Sequence, residues 1–359
     1  MKFQKSLSIS VRGRTGAFAA VISLFLSLSV SFAVEGPDRA TPAEEGAVTK
    51  YFSRYLDPAK EHPCLLISRE ELSSVARRLF DLEEEPLLSA YSVVVTQADP
   101  NPQGVSDNRF YEARRTLSAA CLSALHQAAG HDEPAREYAE SARRTLLAFA
   151  ELGVPDRQEG TGFLYQNYLI GLAFAYDLVW NLPDWTPDDR AKMRTFFYRT
   201  VDELVAAMHS KHLSNHAAWA QCRVATTALL FKDEALAAEC LDGPDSYAER
   251  LAHMFFDDGL IYEKSSWQYQ IYGVLPVTMT AMAAHAAGAE PDPLTLRAAN
   301  NLSLTYLGGT TGDFTMPFYP VDTAEFPRPA HKTLADALTA QFDMLRPDTT
   351  CPSIGDYGG

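Results

Sequence analysis

Long apolar runs are scarce in these 359 residues. The first, AFAAVISLFLSLSV at 17–30, is short for a bilayer span of about 20 residues, and nothing later is long and apolar enough to cross one. Cysteine is also scarce: Cys64, Cys121, Cys222, Cys240 and Cys351 are odd in number and irregularly spaced, with no CxxC pair. That excludes a disulfide framework and a paired-cysteine zinc site. It leaves room for one disulfide in an oxidising compartment, or for small buried apolar residues. Positive charge is short too, with 31 Lys plus Arg against 46 Asp plus Glu and a net charge of −15. Nucleic acid and anionic membranes are poor partners for such a chain. Twenty glycines and 21 prolines are too few for collagen or a low-complexity scaffold. A Gly-x-Ser-x-Gly elbow, a phosphate loop and βαβ alternation are all missing, which excludes a doubly wound sheet.

What remains is globular: 47% hydrophobic, 21% charged and 11% aromatic, enough chain for two average domains or one large one. Residues 1–33 carry Lys2, Lys5, Arg12 and Arg14 and no acid. A basic start, an apolar stretch and small residues at Ser31 and Ala33 form the layout of a secretory signal peptide cut after Ala33. The expected location is therefore periplasmic or secreted, with no membrane attachment after cleavage. No cysteine lies near the cut, so lipoprotein processing is not expected. Residues 34–60 read as a linker.

From about residue 65 the pattern is helical. Ser68 to Glu71 reads as a capping box. Residues 111–129 should form a helix ended by Gly130, and 134–150 the next. Residues 163–180 are apolar on nearly every side, as in an inner helix. Thr186-Pro187-Asp188-Asp189 supplies a cap, a first-turn proline and first-turn acids for a helix expected to run to about 209. Further helices are expected near 216–231, 233–241, 246–257, 266–287, 293–306 and 330–345, with short extended pieces at 259–262 and 314–316. The expected fold is all-α: antiparallel helical hairpins wrapped into an incomplete α/α toroid over 61–346, with an α-solenoid as the alternative. Residues 347–359 read as a loop cut in the middle.

Two segments carry groups suited to chemistry. Asn215 and His216 stand at a helix start, where side chains and free N–H groups can face a ligand, and Trp219 follows one turn on. Either Ser214 or Asn215 could be the N-cap. The second segment runs from Asp257 to Tyr272 and gathers Tyr262, Tyr269, Tyr272, Trp267 and Glu263, with Gln268 and Gln270 as amide donors. Flat aromatic faces and forked donors suit a sugar, although an aromatic core stripe has the same spacing. Asp177, on an apolar inner helix, is a buried acid for core bonding or catalysis. His212 and His216 are four apart but have no third ligand at suitable spacing, so no metal site and no cofactor are expected.

Together these segments resemble a family. His62-Pro63-Cys64-Leu65-Leu66 is similar to the HPxLL motif that opens alginate lyase domains, and Ala173 to Asp177 to their inner-helix A-YD motif. Asn215-His216 with Trp219 resembles NHxxW. Asp258-Gly259, Glu263, Ser265 and Tyr269 resemble the DG…ExS…Y segment of the alginate lyase and heparinase II/III-like polysaccharide lyases. Ile354-Gly355-Asp356 resembles the loop that follows the toroid. The resemblance implies a β-eliminating lyase acting on an anionic uronate polysaccharide or oligosaccharide. In it Asn215, His216 and Tyr269 would be catalytic, while Lys264 stands where glycine is usual and the spacing leaves Tyr269 and Tyr272 both open as base. Trp219, Arg223, Glu263, Trp267, Gln268 and Tyr272, with Tyr165 and Gln166, are the expected substrate-binding residues. Members also carry a C-terminal β-sandwich that often adds a charge-neutralising side chain. A chain ending before it is expected to be a truncated product with part of its site missing.

Elimination across C4–C5 of a uronate requires neutralisation of the C6 carboxylate, a base for the C5 proton and an acid for the leaving O4. Asn215 and protonated His216 can serve the carboxylate, with Arg223 as a further clamp. A tyrosine, with a reference pKa of about 10, needs a nearby cation to act as base; Arg223 or Lys264 could supply it. The rivals are a glycoside hydrolase on the same toroid, which needs opposed carboxylates from among Asp177, Asp258 and Glu263, and a non-catalytic sugar-binding helical protein.

Overall fold

The computed structural model describes residues 50–98, 108–154, 167–210, 214–243, 245–255, 259–261, 267–299 and 331–343, without the side chains of 210, 267–269 and 341–343. Among these residues the regular structure is almost wholly helical. The helices are α1 (Arg69–Phe80), α2 (Leu87–Gln97), α3 (Arg109–Ala128), α4 (Asp132–Leu152), α5 (Tyr168–Leu178), α6 (Pro187–Tyr198), α7 (Val201–Ser210), α8 (Asn215–Leu230), α9 (Glu234–Asp242), α10 (Tyr247–His253), α11 (Trp267–Ala286) and α12 (Leu334–Asp343). A two-stranded antiparallel pair, β1 (Ala298–Ala299) and β2 (His331–Lys332), is the only sheet among the described residues.

Local chemistry sets several boundaries. Ser68 and Glu71 exchange side-chain and backbone hydrogen bonds as a capping box at α1. Thr186 and Asp189 do the same at α6, with Pro187 in the first turn. At the end of α3, Gly130 takes φ +75°, its N–H bonds to Gln127 and the His131 N–H to His126. This Schellman turn reverses the chain into α4.

Burial separates two layers. Every residue of α5 is buried, and so is every residue of α8 except His216. The apolar stripes of α4 and α1 instead leave one face polar. Inner helices α3, α5, α8 and α11 pack in that order, each on the next. Outer helices cover the joints: α4 lies on α3 and α5, α6 on α4, and α7 and α9 on α8, while the mostly buried α10 packs on α9 and α11. The hairpins are antiparallel, as the Gln221 amide of α8 donating to the Cys240 carbonyl at the far end of α9 shows.

The inner helices therefore run parallel, and a belt of chain at 50–68 crosses their C-terminal ends. Lys232, just past α8, donates to the Pro58 and Lys60 carbonyls at 2.8 and 2.7 Å. Asp57 N–H donates to Ala287, just past α11. Asn181, past α5, donates to the His62 carbonyl at 2.6 Å, and Pro63 shares a cavity with Gln127 and Ala128 at the end of α3. One belt gathering these helix ends defines an arc, an incomplete toroid rather than an open stack. One apolar core extends from Phe52 to Ala337, and a smaller one lies between α7, α8 and α9.

Three expectations change. The helix expected over 187–209 is two, α6 and α7, parted at Arg199–Thr200. Residues 293–306 hold only a 3-10 turn, Pro293–Thr295, and strand β1 before the described segment ends. Helix α2 was not among the segments expected individually. The pieces at 314–316 and 347–359, and the signal region 1–33, lie outside the described residues.

Candidate active site at the rim of the inner helices

Parallel inner helices put their starts on one rim. There Arg109, opening α3, donates to the Gly153 carbonyl at 2.8 Å and to the Tyr168 hydroxyl of α5 at 3.3 Å. The α8 start is fixed by Ser214, whose hydroxyl accepts from Ala217 N–H at 3.2 Å. Ser214 is thus the cap, and Asn215 is left with its side chain buried in the first turn. His216 is the position at which this otherwise buried helix reaches toward solvent.

Asn215, Trp219 and Arg223 are spaced by four and form one stripe of α8. Trp219 is 6% exposed and Arg223 1%. Arg223 donates to the Thr227 hydroxyl at 2.5 Å and the Phe197 carbonyl at 3.0 Å, and its guanidinium lies over the Phe197 ring. Among the described residues the Trp219 Nε1 and Arg223 Nε donors have no hydrogen-bond partner. Buried orphan donors are costly and uncommon. Burial pushes the Arg223 pKa down to about 10, while Tyr168 and Cys222 work in the opposite direction. At neutral pH it still carries its charge.

The α11 start is held by Gln270. Its Oε1 accepts from Ile261 N–H at 2.6 Å and its Nε2 donates to the Gly259 and Ala337 carbonyls. Gln270 therefore does not flank a sugar with amide donors; it ties the 259–261 segment to α11 and α12. Gly259 has φ +81°, and a Cβ there would lie 2.3 Å from the Asp336 carbonyl, so the DG motif needs its glycine for close packing. Tyr272 is 37% exposed on α11. Trp267, Gln268 and Tyr269 occupy the first turn of α11, beside α8; their side chains lie outside the described set, as do Glu263, Tyr165, Gln166, Lys264 and His212.

Asp177 sits at the opposite rim. Its carboxylate accepts from the Cys64 and Leu65 N–H groups, both at 2.8 Å, and meets His62 Nδ1 at 2.5 Å. The His62 ring stacks on Trp180 at 4.0 Å. The HPxLL and A-YD motifs thus bind each other, and Asp177 is a core fastener. Sequence reasoning also missed Arg109 and Tyr168. The expected helices over 111–129 and 163–180 did not mark them, and only the observed starts at Arg109 and Tyr168 bring them together. Burial raises the Tyr168 pKa, opposed by its hydrogen bond from Arg109 and by the charges of Arg109 and Arg223.

An arc of parallel inner helices, with its starts on one rim and outer helices over the joints, defines a protein of the α/α-toroid class. The alginate lyase family matches residues 96–317, well over half of the chain, and the chain belongs to that family. By family it is a polysaccharide lyase, and the family implies an anionic polysaccharide as substrate. No curated protein matches. Among solved structures it is similar to the apo form of a variant of alginate lyase A1-III, at 14% identity and a TM-score of 0.43, covering 92% of this chain and 74% of that one. It is also similar to alginate lyase A1-III from Sphingomonas species A1, at 14% identity and a TM-score of 0.42, covering 91% and 76%.

Proposed function

We propose that the protein is an exported lyase that cleaves alginate or a related uronate polysaccharide by β-elimination. The observation that carries this reading is the start of α8: Ser214 takes the capping role, and on an otherwise buried helix His216 reaches toward solvent beside Asn215. Asn215 donates to the C6 carboxylate, and His216 in its protonated form adds charge to the same group. The C5 proton becomes acidic because the enolate-like intermediate is held by preorganised donors. Tyr269, in the first turn of neighbouring α11, takes that proton and returns one to O4 if both lie on one sugar face; Tyr272 is the alternative. Arg223 is too deeply buried to grip a polymer directly. It acts instead through its field, favouring phenolate and carboxylate nearby. Trp219, Trp267, Gln268, Glu263, Tyr165 and Gln166 shape the sugar subsites.

The hydrolase reading loses one of its three carboxylates, since Asp177 is held at the opposite rim. Export rests on the layout of residues 1–33, and fractionation of cells expressing the gene tests it. The activity test is incubation of the folded chain with alginate and other uronate polymers. Expected is a rise in ultraviolet absorbance from unsaturated uronate ends, lost in His216→Ala and Tyr269→Phe while circular dichroism stays unchanged. No rise on any uronate polymer, products without the C4–C5 double bond, or binding without turnover would each overturn it.

A further inference from the structure

Outside the rim, a second cluster of chemically competent groups is buried at the opposite end of α5. His62 Nδ1, Cys64 Sγ and an Asp177 oxygen all lie within 4.8 Å of one another, and all three residues are buried. We propose that His62, Cys64 and Asp177 bind a divalent transition-metal ion of the zinc class through Nδ1, Sγ and Oδ1.

The donor set is that of a borderline-soft ion: thiolate, imidazole and carboxylate. A tetrahedral zinc ion separates sulfur from its nitrogen or oxygen neighbours by about 3.5 Å. Here Sγ lies 3.4 Å from His62 Nδ1 and 3.7 Å from Asp177 Oδ1. The third edge, Nδ1 to Oδ1, is 2.5 Å and must open by about 0.8 Å to admit the ion. The surroundings already hold the ligands in place. Asp177 Oδ2 is fixed by the Cys64 and Leu65 N–H groups. The His62 carbonyl is held by Asn181 and Arg69, and its ring by Trp180. A cavity of about 320 Å³ lined by Pro63, Arg69, Leu178 and Asn181 lies alongside.

Charge selects the valence. A thiolate and a carboxylate with a doubly charged ion sum to zero, which is what a buried site tolerates. Binding releases the thiol proton to solvent and leaves the imidazole neutral, its remaining proton on Nε2. The sequence hides this site, since its members are two and 113 residues apart.

The test is a titration of the chelator-stripped full chain with Co²⁺ and then Zn²⁺. Expected are a near-ultraviolet thiolate-to-cobalt charge-transfer band and visible cobalt bands, both removed by one equivalent of Zn²⁺, with one proton released per ion bound. Cys64→Ser, folded by circular dichroism, should lose the charge-transfer band and bind at least about tenfold more weakly; Cys64→Ala serves if the serine variant does not fold. No band at millimolar Co²⁺ in the folded wild-type chain, binding without proton release, or a band that survives loss of Cys64 would each show that the cluster is a hydrogen-bonded fastener only. None of these outcomes depends on lyase activity, so this inference and the proposed reaction can fail separately.

Discussion

Replacing Asp177 by alanine in chelator-treated protein isolates the fastener at the end of α5. The carboxylate accepts two buried backbone N–H groups at 2.8 Å and faces His62 Nδ1 at 2.5 Å. A hydrogen bond to a charged acceptor is worth about 1.5–3 kcal/mol, and a buried donor left without a partner costs a similar amount. Removing all three contacts should therefore cost roughly 4–8 kcal/mol, a large part of the 5–15 kcal/mol typical of a native domain. Asp177→Asn keeps one acceptor oxygen, loses the charge and should cost about half as much. Urea unfolding followed by circular dichroism measures the loss. Hydrogen exchange locates it, because the Cys64 and Leu65 amides should exchange far faster while those in the middle of α8 do not. The rim residues lie at the other end of the inner helices, so activity per folded molecule should hold. An Asp177→Ala protein within about 1 kcal/mol of wild type, or one whose Cys64 and Leu65 amides remain protected, would refute the reasoning.

Gly273→Ala should destabilise, although alanine usually improves a helix interior by about 1 kcal/mol. The added Cβ would lie 2.1 Å from Ile261 Cδ1, and overpacking costs roughly 1–3 kcal/mol; adding Ile261→Val, which removes that Cδ1, should restore part of the melting temperature. His285→Gln should show a pH-dependent loss. The hydrogen bond to Asp292 at 2.9 Å raises the His285 pKa against the opposing effect of burial. The stabilisation is thus complete below the unfolded value of about 6.5 and disappears as pH rises through the folded value. Both side chains are about 40% exposed, so the loss at low pH should not exceed about 1 kcal/mol. Equal destabilisation in acid and at alkaline pH, read from paired melting curves, would contradict the ion pair.

Much of the architecture was legible because helices announce themselves locally. Capping boxes at Ser68 and Thr186, the Gly130 turn and the mostly apolar run through Tyr168–Leu178 are short-range features whose physics involves only neighbouring residues. The break between α6 and α7, and the strand at Ala298–Ala299, were not legible. At Ala298–Ala299 pairing with distant His331–Lys332 overrides the local helical preference. The candidate site divides in the same way. Asn215 and His216 could be placed at a helix start from spacing alone, but whether Ser214 or Asn215 caps it depends on which side chain meets the Ala217 N–H.

By itself, then, the sequence determined an acidic, mainly helical chain with polar and aromatic residues at particular helix starts, and its motifs resembled those of the alginate lyase family. Only the tertiary structure decided that the inner helices run parallel and bring those starts to one rim. It also decided that Asp177 and Gln270 bind backbone rather than substrate, and that Arg223 is buried. The reason is distance along the chain. Side-chain partners such as Asp177 and Leu65 lie 112 residues apart, and no local periodicity records which of two acids, or two amides, the fold will use to satisfy its own buried N–H groups.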